Sequence, residues 1–213
     1  MFKDRRDAGM QLSKALKKYR RTSTIVLAIP RGGVGLGYEI ATRLHLDLSV
    51  IVTRKLPFPD NPESDFGAIA EDGSSFIFSR FTDQMPKNVK HEIIKEQKAE
   101  IKRRIEILRK GNPLPDIENR KVILTDDGIA MGSTMRASVK MCKNLGASEI
   151  IVAVPVASGH TTENFRNLVD EVIVLENPHF FQAVAQVYNN WYDVGDEEVI
   201  RILEKYEMEK QNW

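Results

Sequence analysis

Short apolar runs alternate along the chain with segments whose apolar positions recur at helical spacing. Residues 24–29, 48–52, 122–124, 150–154 and 172–175 are aliphatic or β-branched enough to be buried strands. Between them, residues 34–44, 134–145 and 161–168 read as crossover helices, the second stopped by Gly146 and the third capped by Ser158. Strand followed by helix, repeated, predicts an α/β fold: a doubly wound, mainly parallel five-stranded sheet flanked by helices.

Two segments break the alternation. Residues 56–71 are rich in Pro, Gly and Asp, and a short hairpin is expected near residues 68–78. A long helix follows over about 87–110, with Val89, Ile93, Ile101, Ile105 and Leu108 on one stripe and Gly111-Asn112-Pro113 ending it. That helix carries nine Lys/Arg against four Glu. Either it is a nucleic-acid or dimerisation surface, or it is a solvated face of interleaved charges. The expected organisation is one domain over 1–213, with a lid and helical insertion at about 56–115 and a C-terminal cover at about 176–213.

Composition narrows the chemistry. A formal net charge of +1 provides no overall field for nucleic acid or an acidic membrane, so any anion site must be local. Cys142 is the sole cysteine, which excludes an intramolecular disulfide and a multi-thiolate zinc site. A charged start over residues 1–7 and the lack of a long apolar run predict a protein neither secreted nor membrane-spanning, at work in the cytoplasm.

The most informative stretch is residues 122–135. A buried strand delivers Asp126 and Asp127 to its carboxyl end, and a loop of small residues, Ile129-Ala130-Met131-Gly132-Ser133-Thr134, opens a helix. Ligands of open α/β sheets sit at such strand ends. Gly132 permits close backbone approach to an anion, Ser133 and Thr134 add hydroxyl donors, and the first helical amides are unpaired. The loop therefore suits one phosphate. Two carboxylates beside it would repel that anion unless they face hydroxyls or a cation, and the 2′- and 3′-hydroxyls of a ribose 5-phosphate meet the need. A plain helix-capping turn and an acidic metal pair of another α/β family are the competing readings.

Three further segments are candidates. Arg31 with the amides of Gly32 and Gly33 forms either an anion nest at a helix start or a turn needed only for tight packing. The glycine spacing lacks a full G-x-G-x-x-G, which disfavours a dinucleotide-binding oxidoreductase. Arg54 and Lys55 end the second strand and either reach the same cleft or are solvated. Aromatics beyond the last strand, Phe180 and Phe181 as the leading candidates with Trp191 and Tyr192 soon after, either stack a flat base or fill a subdomain core. His160 and His179 read as ordinary histidines, without paired zinc spacing.

Residues 122–135 resemble the 5-phosphoribosyl-1-diphosphate (PRPP) signature of type I phosphoribosyltransferases, and similarity to a subgroup of predicted members extends over almost the whole chain. The resemblance implies that Asp126 and Asp127 hold the ribose hydroxyls and that residues 129–134 hold the 5′-phosphate. It assigns pyrophosphate to Arg31, Gly32, Gly33, Arg54 and Lys55, and a mobile lid to the Pro-rich stretch containing Glu63. Catalytic roles fall to Arg31, Asp126, Asp127 and Glu63. Mg²⁺ is the implied cofactor, held through PRPP near Asp126 and Asp127. PRPP and a nitrogen acceptor, in the first instance a nucleobase, are the implied partners, in a homodimer. Two departures stand out: Met131 where the family usually carries Thr, and Ala130 where the 6-oxopurine salvage enzymes usually carry Asp. A regulator that senses PRPP or a nucleotide without turnover is the alternative.

Overall fold

The computed structural model describes residues 1–83 and 85–213. In chain order the elements are α1 (Arg5–Ala15), β1 (Ile25–Ala28), α2 (Gly33–Leu44), β2 (Asp47–Val50), β3 (Thr53–Phe58), β4 (Asn61–Ala70), β5 (Ser75–Ile77), α3 (Ser79–Thr82), α4 (Lys87–Arg109), β6 (Lys121–Thr125), α5 (Ser133–Asn144), β7 (Glu149–Val156), α6 (Gly159–Arg166), β8 (Glu171–Glu176) and α7 (Asp196–Lys210). All five expected strands form one parallel sheet in the order β2-β1-β6-β7-β8. From β1 the chain steps outward to β2, and from β6 it steps the other way. The switch point is therefore the β1–β6 boundary, where Ala28 pairs with Thr125 and the loops after both strands emerge side by side.

Side chains of alternating parity build two cores. Val26, Ala28, Ile123, Ile151 and Ala153 pack with α1, α2 and α7 on one face. Ile25, Leu27, Val122, Leu124, Ile150, Val152 and Val154 pack with α5 and Phe165 of α6 on the other. The caps are as expected: the Ser158 side chain accepts from the Thr161 amide, and Gly146 takes φ +77° after α5.

The insertion is a second sheet, antiparallel in the order β3-β4-β5, lying under α4. The stretch read as a Pro-rich lid is a long β3–β4 hairpin whose register slips at Pro57, which has no amide to donate to the ladder. Val52, Leu56, Phe66, Ile69 and Ile101 form its core, and Ile93 and Ile105 of the anticipated stripe pack against it. Helices α1 and α7 are not evident from the sequence pattern. Their charged faces dilute the apolar signal, and burial rests on few positions, Ala8 and Leu12 in α1 and Val199 and Tyr206 in α7. Tyr206 donates its hydroxyl to Leu46 O at 2.9 Å and accepts from the Leu48 amide at 3.0 Å, fixing α7 to the β2 edge. Among the described residues no helix is long and apolar enough to cross a membrane.

A buried ion pair joins the insertion to the main sheet. Arg109, at the end of α4, pairs with Glu71, their side chains 7% and 8% exposed; Glu71 also accepts from the Val52 amide, and Arg109 donates to Val50 O. Removing one partner of such a pair strands the other charge away from water, a loss of about 3–5 kcal/mol. Arg109→Ala is expected to lower the melting temperature by roughly 6–20 °C, at about 2–4 °C per kcal/mol for a chain of this size. Thermal unfolding followed by circular dichroism checks it, and a fall within the noise of the measurement would mean the pair contributes nothing.

Candidate functional site

A cleft of about 730 Å³ opens at the carboxyl ends of β1 and β6. Its walls bring together Arg31, Gly32, Arg54, Lys55, Glu63, Asp126, Asp127 and residues 129–134, segments far apart in sequence that the switch point and the hairpin place around one space. A separate hollow of about 590 Å³ beside Pro113 and Leu114 contains none of these residues.

At its floor lies the acidic pair. The Asp127 amide donates to Asp126 Oδ1 at 2.8 Å, and Asp127 Oδ2 accepts from Arg5 Nε at 2.9 Å, with Nη2 also 2.9 Å away in an ion pair. Arg5 is buried, and its Nη1 donates to Tyr192 O at 2.9 Å. The Tyr188 hydroxyl donates to Asp127 O at 2.7 Å. Burial and the neighbouring Asp127 carboxylate push the Asp126 carboxyl well above the ordinary range. Burial also raises Asp127, but the Arg5 guanidinium pulls the other way. The sequence does not single out Arg5. One of two consecutive arginines in a charged N-terminal stretch, it carries no local signal of a partner 122 positions away.

Beside the pair, Gly132 takes φ +80° and starts α5, a conformation that a side chain would strain; a Cβ there would also meet the Phe165 ring at 2.9 Å. No side chain caps α5, so its first amides, from Ser133 onward, are open to an anion. Ile129 lines the cleft, but its amide is spent on Val156 O at 2.8 Å. Ala130 and Met131 are exposed at the rim, and Thr161 Oγ1 holds Ala130 O at 3.3 Å.

The opposite wall is basic. Arg31 lies half exposed, 3.9 Å from Asp196, and Gly32 touches the acidic pair so closely that a Cβ would lie 2.0 Å from Asp127 Oδ2. Gly33 corrects the anion-nest expectation. Its amide donates to Ile29 O at 3.0 Å, and a Cβ would be 2.7 Å from Thr125 O, so its role is the tight packing of α2 on β6. Arg54 and Lys55 face the cleft, joined by Arg104 from the insertion helix, which in the sequence is only one member of a charge run. Burial first, then the nearby Arg104, pulls the Arg54 guanidinium below its ordinary range. Glu63 is exposed on β4, while Asp65 two residues on is buried 3.9 Å from Lys55.

The expected base-stacking pair lies elsewhere. Phe180 is 90% exposed and Phe181 packs against the core, because the chain after β8 turns away before returning through residues 182–185. The aromatic side chain on the cleft wall is Trp191, braced by Arg5, whose Cζ is 4.0 Å from the ring centroid, and by Tyr188 at 5.3 Å. Cys142 is buried away from the cleft, its thiol pushed up to about 12 by burial.

Both carboxyls are raised, but neutralising Asp127 leaves a buried cation unpaired and neutralising Asp126 does not. A carboxyl whose folded pKa is raised supports the fold fully below the unfolded value, roughly pH 4, and that support is lost as pH rises through the folded value. Asp126→Asn, which keeps an oxygen for the Asp127 amide, is therefore expected to raise the melting temperature at pH 7 and to show little gain near pH 4. Asp127→Asn strands Arg5 without its counter-charge and is expected to lower it. Melting curves from pH 4 to 8, at about 2–4 °C per kcal/mol, decide the signs.

A family model described as a phosphoribosyl transferase domain matches residues 3–189. "Putative phosphoribosyl transferase Rv0571c" of Mycobacterium tuberculosis (strain ATCC 25618 / H37Rv) is 35% identical over 207 residues, 96% of this chain and 47% of that protein. A second curated protein, from strain CDC 1551 / Oshkosh, matches equally, so the chain spans about half the length of the curated relatives it matches. The crystal structure of TT1426 from Thermus thermophilus superposes with a TM-score of 0.80 at 35% identity, covering 97% of this chain and 99% of that one. With the parallel sheet, the acidic pair and the open helix start at one switch point, the chain belongs to the phosphoribosyltransferase family and has its type I fold.

Proposed function

We propose that this protein transfers the 5-phosphoribosyl group from PRPP to a nitrogen acceptor, in the first instance a nucleobase, with release of pyrophosphate. The observation that carries the reading is the meeting, in one cleft, of the acidic pair, the uncapped start of α5 and the Arg31–Arg54–Lys55 wall. Those three features match the hydroxyls, the 5′-phosphate and the diphosphate of a single donor molecule.

In this scheme the α5 amides with Ser133 and Thr134 anchor the 5′-phosphate. Asp126 and Asp127 accept from the ribose hydroxyls and fix the sugar's orientation. Displacement at C1 passes through a transition state of oxocarbenium character, and Arg31, Gly32, Arg54 and Lys55 stabilise negative charge as it gathers on the leaving pyrophosphate. The β3–β4 hairpin, with Glu63 on its cleft side, excludes water that would otherwise hydrolyse the donor. The carboxylates at the cleft floor are hard oxygen donors of the kind that suits Mg²⁺ brought in with a diphosphate. When bound, Mg²⁺ neutralises and orients that leaving group.

Acceptor choice rests on Ala130. It lines the cleft, and its side chain neither donates nor accepts a proton, so hypoxanthine and guanine are expected to be poor acceptors. Glu63 is the carboxylate proposed to handle the acceptor's proton.

PRPP with Mg²⁺ is expected to raise the melting temperature by roughly 5–10 °C at a hundredfold excess over Kd. Asp126→Asn combined with Asp127→Asn is expected to abolish most of that shift with secondary structure retained; an undiminished shift would place the ribose elsewhere. Pyrophosphate release with hypoxanthine, guanine, adenine, uracil and orotate, on wild type and Glu63→Gln, tests the chemistry. Efficient use of hypoxanthine or guanine would remove the argument from Ala130, and an unaltered chemistry-limited rate in Glu63→Gln would remove Glu63. PRPP binding without release for any base would favour a sensor over an enzyme.

A further inference from the structure

Arg5 connects three parts of the molecule that the proposed chemistry needs together. Its Nε donates to Asp127 Oδ2 at 2.9 Å, and Nη2 lies 2.9 Å from the same oxygen in an ion pair. The third nitrogen, Nη1, holds Tyr192 O at 2.9 Å, and the guanidinium carbon lies 4.0 Å from the centre of the Trp191 ring. The guanidinium is held from behind as well. Asp4 caps α1 by accepting from the Asp7 amide, α1 packs on α2, and residues 2 and 3 are stitched to the far segment through Phe2 N to Val187 O at 2.7 Å, Asn189 N to Phe2 O at 2.8 Å and Asn190 N to Lys3 O at 2.9 Å.

Asp127 has little freedom. Gly32 closes against its Oδ2, Arg5 Nε donates to that oxygen, and Tyr188 pins its backbone carbonyl at 2.7 Å. Oδ1 is the oxygen left to accept from a ligand hydroxyl. A planar fork with donors on two edges and an aromatic ring on its face does what a lysine ammonium cannot do simultaneously.

We propose that Arg5 is the positioning residue of the ribose-binding carboxylate: it occupies Asp127 Oδ2, turns Oδ1 toward the sugar, and holds the Trp191 wall in place through the Trp191 ring and the Tyr192 carbonyl. One side chain then sets both the sugar site and the aromatic wall of the cleft. The inference rests on reading the cleft as a PRPP site. It assigns Arg5 a role exerted through Asp127, distinct from contact with the reacting atoms.

The test uses the full chain and two fragments of the donor, ribose 5-phosphate and pyrophosphate, each titrated in the presence of Mg²⁺ by calorimetry. Arg5→Met is expected to weaken ribose 5-phosphate about tenfold, the scale of one charge-assisted contact, while pyrophosphate affinity stays within about twofold of wild type. Arg5→Lys is expected to fall between the two, and it supplies the same comparison if Arg5→Met does not fold. In an Asp127→Asn background the Arg5 substitution is expected to have no further effect on ribose 5-phosphate, because the two act as one unit. Unchanged ribose 5-phosphate binding in the Arg5 variants, equal loss of both ligands, or an undiminished effect in the Asp127→Asn background would overturn the proposal. Wild type failing to bind ribose 5-phosphate would sink the reading of the cleft itself, and this inference with it.

Discussion

Two neighbouring carboxylates at the end of a buried strand repel one another and lose hydration, and the structure is arranged around that conflict. Arg5 supplies a fixed cation that partly offsets the upward push of burial on Asp127, while Asp126 is driven further up by burial and by its neighbour. The N-terminal helix is folded against α2, and residues 2 and 3 before it against segment 187–190, in the geometry that delivers this one guanidinium. A destabilised pair kept in place by a long-range partner is the pattern expected of a site selected for binding rather than for stability.

The anion-binding features are cheaper. Helix α5 begins without a side-chain cap, so its open amides exist before any ligand arrives, and Gly132 supplies the one backbone conformation that aims them. On the opposite wall the cost returns, because Arg54 and Arg104 crowd like charges that Glu100 partly balances. An incoming polyanion would relieve that crowding. The insertion helix α4 thus has two faces with different tasks, an apolar one over the β3-β4-β5 sheet and an arginine at the cleft.

The five strands and three crossover helices of the main sheet were legible because burial on both faces demands near-continuous aliphatic runs, which leave an unmistakable pattern at 24–29 or 150–154. The acidic pair and the small-residue loop were legible for a local reason: strand, Asp126-Asp127, Gly132 and helix start are contiguous, so backbone geometry alone sets them side by side. Less was visible in α1 and α7, whose few buried positions are diluted by charge, and in the hairpin, where proline and glycine suggested a loop although Thr53–Phe58 and Asn61–Ala70 pair as strands.

What the sequence by itself determined was therefore the layered α/β architecture and the strand end that holds an acidic pair beside an anion loop, both consequences of short-range periodicity and contiguous residues. Tertiary structure alone decided the rest. It put Gly33 into packing and Gly32 against the acidic pair, chose Trp191 over Phe180 and Phe181 for the cleft wall, drew Arg104 in from the insertion, and brought Arg5 to Asp127. Each of these depends on which elements meet across the switch point. A contact spanning 122 residues is set by the packing of whole helices and leaves no trace in the neighbourhood of either partner.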